Sequence, residues 1–242
     1  MLAFAMSFFE PFLDLLLPSA CAECSLPPTV YCRNCLSRHE AHLIERNYLP
    51  SQSSHALNKK LPGLALSVLD DSVSRAMTAF KEKNQFAVAR SMVDALLPDE
   101  SLWPVDLVVA APSARVNFKK RGFVPAELIA ERVAKRWDLP HLRSALTLVR
   151  RVEDQASLTV EQRQQNLVEA MRANPRVAGK RVLLVDDIVT TGSTIAEVAR
   201  AVAAAAAEPV AFVVLAETLR RQAPSPHPAG FQVGPTPSPK ID

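Results

Sequence analysis

At 242 residues the chain has room for one full α/β domain and a small accessory module, on the usual scale of roughly 100 to 200 residues per domain. Its composition, 48% hydrophobic and 22% charged, is that of a folded globular protein and excludes a wholly disordered chain. A net charge of +3 is too small to imply nucleic-acid binding by itself; only Lys119-Lys120-Arg121, Arg150-Arg151 and Arg220-Arg221 offer local anion sites.

Met1 to Leu17 is apolar, yet no Lys or Arg precedes Arg33, and Glu10, Pro11 and Asp14 interrupt the run. A signal peptide needs a cationic start, so the expectation is a short amphipathic helix on a cytoplasmic protein. No later segment offers the ~18 uninterrupted apolar residues that span a bilayer, so no stable membrane insertion is expected.

Cys21, Cys24, Cys32 and Cys35, the four cysteines of the chain, form C-x2-C-x7-C-x2-C. This spacing presents four thiolates as two knuckles and predicts a closed, structural Zn²⁺ site. Two disulfides would need an oxidising compartment, and a redox C-x-x-C would need a thioredoxin-like setting that the sequence lacks. A head this small gains folding energy from the metal. His39 and His42, just outside the knuckles, read as solvated helix positions.

The head is therefore taken as 1–47, followed by a polar, turn-rich linker (48–61), a long body (62–220) and a tail (221–242). The tail holds six prolines between Pro224 and Pro239 and is expected to be disordered. In the body, short apolar runs alternate with helical patterns. Leu64 to Leu69 precedes one or two helices over Ser72 to Leu97; Val105 to Ala110 precedes a helix over Pro125 to Trp137; Ala145 to Val149 precedes one over Val160 to Met171. Arg181 to Val185, a helix from Ser193 to Ala207, and Val210 to Leu215 complete the series. This βαβ rhythm predicts an α/β fold with a parallel sheet, in which ligands bind beyond the carboxyl ends of the strands.

One strand end carries chemistry. After Val182 to Val185 come Asp186-Asp187, then Ile188-Val189-Thr190-Thr191-Gly192-Ser193-Thr194, then an alanine-rich helix. Adjacent carboxylates can accept hydrogen bonds from vicinal ribose hydroxyls and attract Mg²⁺. Val189, Thr190, Thr191, Gly192, Ser193 and Thr194 lead into a helix amino terminus, whose free N–H groups and dipole favour a phosphate. An ordinary strand, Asx turn and capped helix would need one Ser, Thr or Asp and not this whole arrangement. No Lys follows the glycine, which excludes a Walker-type nucleotide site here. A second strand end carries cations: the loop from Pro112 and Ser113 includes Arg115, Lys119, Lys120 and Arg121, where a pyrophosphate could lie.

The segment 182–194 resembles the signature of type I phosphoribosyltransferases. That resemblance implies that Asp186 and Asp187 bind the ribose hydroxyls of 5-phosphoribosyl 1-pyrophosphate (PRPP) and that Val189 to Thr194 hold its 5-phosphate, with Mg²⁺. The four-cysteine head ahead of such a body resembles the ComF family, competence-related proteins. Arg121-Gly122-Phe123, Ala126-Glu127-Leu128, and Gln155, Leu158, Arg163 and Asn166 in the pattern Q-x-x-L-x4-R-x2-N agree with it. Three segments depart from its pattern: Val124-Pro125 replaces an amide-bearing pair, Ala110-Ala111-Pro112-Ser113 replaces P-V-P-L, and Lys81-Glu82-Lys83-Asn84 replaces K-Y-x-G. They leave the ribose-phosphate segment whole. The resemblance implies either a transferase that displaces pyrophosphate from PRPP, for which Asp186, Asp187 and Arg121 are the catalytic candidates, or an accessory factor for DNA uptake. The latter would have single-stranded DNA and a DNA-uptake helicase as partners. A sensor that binds PRPP without chemistry is the third reading the motif permits.

Overall fold

The structure is a computed structural model that describes residues 20–48, 59–150 and 167–218. The expected helix over Met1 to Leu17, the tail, and Gln155, Leu158, Arg163 and Asn166 lie outside these residues. So does most of the expected helix over Val160 to Met171; its last residue, Met171, opens a strand instead.

A short helix, α1 (Arg33–Leu36), closes the cysteine head. Strands β1 (His42–Tyr48) and β2 (Lys59–Ala65) follow. Then come α2 (Asp71–Glu82), α3 (Ala87–Leu96), β3 (Leu107–Ala110), α4 (Arg115–Arg121) and α5 (Pro125–Arg136). The chain continues through β4 (Leu146–Leu148), β5 (Met171–Ala173), β6 (Arg181–Val189), α6 (Ser193–Ala204) and β7 (Glu208–Glu217). The main sheet has the order β1-β2-β7-β6-β3, and β4 and β5 form a separate antiparallel pair. Strands β2, β7, β6 and β3 are mutually parallel, as the βαβ rhythm predicts, and β1 joins the β2 edge antiparallel.

Burial explains the apolar runs. Leu107 to Ala110, Val182 to Val185 and Ala211 to Ala216 are buried residue after residue, which requires cover on both faces of the sheet. Helix α5 packs on β3 and β6, and α6 on β6, β7 and β1. The expected single or double helix over 72–97 is two helices. Asp70 caps the first through Val73 N–H (2.8 Å), and the chain turns at Asn84, in the left-handed region at φ 57°.

Three expectations are corrected by pairing that periodicity does not reveal. The strand expected over Leu64 to Leu69 lies earlier, because β2 zips to β1 from Lys59 onward; both ends of the expected linker 48–61 are therefore strand. The basic segment after β3, expected as a loop, coils into α4 and stops at Gly122, whose φ of 78° is left-handed. His39 and His42 are not solvated helix positions. His39 lies almost buried between the Tyr31 hydroxyl (3.1 Å) and Glu23 (2.9 Å), while His42 opens β1 and holds Glu217 at 2.6 Å.

The head and body share one apolar core that includes Cys21, Tyr31 and Cys35. Glu23, between the first two cysteines, is buried; it accepts from Arg38 and His39, and its carbonyl accepts from Arg75 of α2 (Nε 3.3 Å, Nη2 3.2 Å). Gly63 of β2 lies against Phe212 of β7, so close that an added Cβ would collide with the buried ring. Gly63→Ala is expected to lower stability by about 1–3 kcal/mol, measured by urea unfolding, because the overpacked ring has no free volume to enter.

Candidate functional site

The carboxyl ends of β6 and β3 open into a cleft of about 380 Å³ lined from both sides. Strand β6 does not end at Val185; it runs on to Val189, so Asp186 and Asp187 lie inside it and are held by pairing to Val214 and its neighbours. Alternation then separates the two side chains. Asp186 accepts the Asp187 backbone N–H (2.8 Å), and Asp187 pairs with Lys81 Nζ (2.8 Å). Burial and the adjacent Asp187 charge push the Asp186 carboxyl up to about 7. Although one edge of Asp186 faces the cleft, its surroundings are dry enough for that desolvation to dominate.

Beyond Val189 the chain turns through Thr190 and Thr191 to Gly192, which adopts φ 86° and begins α6 without a side-chain cap. A glycine N-cap has no side chain to offer the first-turn N–H groups of this twelve-residue helix, whose start lines the cleft, an arrangement that favours a phosphate. Thr191 Oγ1 and Ser193 Oγ lie 2.8 Å apart and Ser193 N–H donates to Thr191 Oγ1 (3.3 Å), which tightens the turn. The side chain of Val189 is buried and its carbonyl accepts Thr218 N–H (2.9 Å), so this residue can reach the cleft only through its backbone.

The opposite wall comes from α2 and the β3–α4 segment: Lys81, Pro112, Ser113, Asn117 and Arg121. Arg121 is tied to Glu82 by Nε (3.2 Å) and Nη2 (2.9 Å), and Lys120 reaches the same carboxylate at 2.7 Å. Those hydrogen bonds hold the Glu82 carboxyl below the usual carboxylate range. Thus Ser113, Arg121, Asp186, Asp187 and Val189 to Thr194 meet in one cleft, whereas Lys119 and Lys120 are exposed outside it; the Arg115 side chain lies outside what the structure describes.

The four cysteines converge away from the cleft. Their sulfurs all lie within 4.8 Å of one another, with Cys24 Sγ and Cys32 Sγ 3.8 Å apart, and none is in a disulfide. A tetrahedral zinc with bonds of about 2.3 Å places its sulfurs roughly 3.8 Å apart, so this donor set fits that ion. Burial acts to raise the Cys21 thiol, but backbone N–H groups of Cys24, Cys32 and Glu23 outweigh it and hold the thiol down at about 6. Cys32 N–H reaches Cys21 Sγ (3.4 Å), and Arg38 Nη2 reaches Cys35 Sγ (3.2 Å); such outer donors steady a thiolate ligand.

The model of the phosphoribosyl transferase domain matches residues 117–234, a span that contains β6, the turn through Thr190 to Gly192, and α6. The DNA utilization protein YhgH of Salmonella typhimurium is 29% identical over 192 residues, 75% of this chain and 77% of that one. Competence protein F of Haemophilus influenzae is 28% identical over 132 residues, 50% of this chain and 57% of that one. The chain carries a phosphoribosyl transferase domain and is similar to the YhgH and competence F proteins. Among solved structures, adenine phosphoribosyltransferase from Thermoanaerobacter pseudethanolicus aligns at 17% identity over 72% of this chain and 83% of its own, with a TM-score of 0.36.

The residues that agree with the ComF pattern divide by role. Glu127 faces away from the cleft, pairing with His141 (3.1 Å) and accepting Ser144 N–H (2.8 Å), and so secures the approach to β4. Phe123 packs edge-on to Phe86 (centroids 4.9 Å apart), while Pro125, one of the departing residues, occupies the first turn of α5. The cleft residues that sequence reasoning missed are Lys81 and Asn117. Lys81 stands 106 positions from Asp187, and nothing in its local pattern separates it from the exposed lysine Lys83; its place in the departing K-Y-x-G segment was the available signal. Among the described residues no helix is long and apolar enough to cross a membrane.

Two outcomes are expected. Between about pH 4 and pH 7 the unfolded chain has ionised Asp186 while the folded chain still binds the proton, so folding loses stability as pH rises through that window. Asp186→Asn is therefore expected to stabilise the fold by roughly 2–4 kcal/mol at pH 8 and to change nothing near pH 3, as read by urea unfolding at both values. Metal analysis of purified protein is expected to find one zinc per chain, and Cys32→Ser is expected to lose it.

Proposed function

We propose that the cleft binds PRPP with Mg²⁺ and that the protein transfers the phosphoribosyl group to an acceptor, with residues 62–220 as the transferase unit, 1–47 as a zinc-stabilised module, and the cytoplasm as its location. The observation that carries this reading is the convergence of three complementary groups in one cleft: the Asp186-Asp187 pair, the uncapped start of α6 at Gly192, and the cations Lys81 and Arg121 on the facing wall. A sugar phosphate with a pyrophosphate leaving group needs these three features.

In this reading the turn Thr190 to Thr194 receives the 5-phosphate through backbone N–H groups and hydroxyls. Asp186 and Asp187 accept the ribose hydroxyls and supply hard oxygen ligands suited to Mg²⁺. The ion's contribution, when bound, is to neutralise pyrophosphate charge. Lys81 exchanges part of its Asp187 contact for pyrophosphate oxygens, and Arg121 adds the second cation. The bond between ribose C1 and the pyrophosphate oxygen breaks, a bond from C1 to the acceptor nucleophile forms, and that nucleophile gives up its proton. Ser113 and Asn117 lie where an outgoing pyrophosphate or an incoming acceptor is handled.

A second reading is favoured by one surface observation and by the names of the relatives. On α4, Val116 and Phe118 are 64% and 49% exposed beside the exposed Lys119 and Lys120. Cations interleaved with an exposed ring suit single-stranded DNA, so this face of α4 would serve a DNA-handling role, with a DNA-uptake helicase as protein partner.

Calorimetric titration of PRPP into zinc-loaded protein is expected to give micromolar binding that requires Mg²⁺ and is lost, with the fold intact, in the Asp186→Asn, Asp187→Asn double variant. Binding that persists in that variant would remove the site assignment. If PRPP fails to bind while a DNA oligonucleotide does, with affinity falling steeply with salt, the second reading takes its place.

A further inference from the structure

The phosphate turn is backed by a residue from outside the transferase motif. Arg46 lies on β1, the antiparallel edge strand that follows the cysteine head, and its side chain is 15% exposed. Its stem is pressed against Gly192: a Cβ at that glycine would meet Arg46 Cδ at 2.6 Å, Cγ at 2.9 Å and Nε at 3.2 Å. The guanidinium is anchored by Nη1–H to the Glu45 carbonyl (2.8 Å) and by Nη2–H to Glu217 (3.0 Å). Glu217 also holds His42 and sits beside Val189 in the β6–β7 register, one residue before the turn begins. Arg46 is thus fixed from its own strand β1 and from β7, which runs beside the strand that delivers the chain into the turn.

One donor in this arrangement is unspent. Arg46 Nε is buried with no hydrogen-bond partner, a costly state for a permanently charged group and one that asks for a reason. Arg46 does not line the cleft, so it approaches the turn from behind. In a planar peptide the N–H and C=O point in opposite directions. When turn N–H groups swing toward an anion in the cleft, the matching carbonyls swing toward the back, where Nε–H waits.

We infer that Arg46 is a positioning residue for the sugar 5-phosphate: it braces the Gly192 turn and gives its Nε–H to a turn carbonyl as the N–H groups engage the phosphate. This rests on the sugar-phosphate reading of the cleft and extends it, since it makes the strand next to the cysteine head part of the binding machinery. The ligand class is a phosphate monoester on a sugar, and pyrophosphate at the facing wall should be indifferent to Arg46.

The test is calorimetric titration of ribose 5-phosphate, PRPP and inorganic pyrophosphate into the zinc-loaded full chain and two variants. Arg46→Met removes charge and donor; Arg46→Lys keeps a cation for Glu217, which protects the fold, but lacks the Nε–H fork. Both are expected to weaken ribose 5-phosphate and PRPP about tenfold, the effect of one charge-assisted hydrogen bond, with pyrophosphate affinity and zinc content unchanged. A residue that merely supported the fold would lower the fraction of binding-competent protein without changing the dissociation constant of that fraction. Wild-type affinity for ribose 5-phosphate in both variants would overturn the role of Arg46 alone. A wild-type chain that binds neither sugar phosphate would overturn the cleft reading and this inference with it.

Discussion

The structure depends on β6, a strand buried on both faces that ends in two carboxylates. Pairing with β3 on one side and β7 on the other fixes its backbone as far as Val189, so Asp186 and Asp187 cannot turn out to solvent as they would on a loop. Burial beside a like charge makes Asp186 reluctant to ionise, and Lys81 answers only the charge of Asp187 directly. A buried carboxyl with so perturbed an ionisation, lining a cleft, marks a candidate binding site. Local instability of this kind is the ordinary companion of a preorganised binding site.

Helix α2 links this cleft to the cysteine head. Near its start Arg75 holds the carbonyl of Glu23, which lies between two of the cysteines; near its end Lys81 meets Asp187, and Glu82 gathers Lys120 and Arg121. The four sulfurs therefore do more than fold their own loop. Through the Glu23 carbonyl their loop is tied to a helix whose last turn supplies one wall of the cleft. The edge strand β1 makes a parallel connection through Arg46 to the phosphate turn, so the head region reaches the cleft by two independent routes.

The balance of charge in the facing wall is narrower than its sequence implies. Lys119, Lys120 and Arg121 read as a triple cation, yet Glu82 occupies two of them and the helical turn of α4 carries Lys119 and Lys120 away from the cleft. What remains inside is Lys81 and Arg121, both already paired with carboxylates. An incoming pyrophosphate would compete with Glu82 and Asp187 for these cations, which favours a ligand that brings its own divalent ion.

Local sequence determined the parts of this protein whose physics is local. Buried parallel strands demand continuous apolar runs, so Val182 to Val185 and Ala211 to Leu215 were legible, as were the four thiols at knuckle spacing and the acidic pair running into a glycine turn. Tertiary structure alone decided what distant segments do to one another. It drew β6 past its apolar stretch through Asp186 and Asp187, because β7 offers pairing partners that far. It folded Lys59 to Leu61 into a strand because β1 lay alongside, coiled the basic segment into α4, and buried His39 against Glu23. It also brought Lys81 into the cleft and Arg46 against the turn behind it, from 106 and 146 residues before Asp187 and Gly192, respectively. Periodicity and motif spacing report only what a residue does with its near neighbours. Contacts across such separations depend on the packing of the whole chain, and no short window of sequence records them.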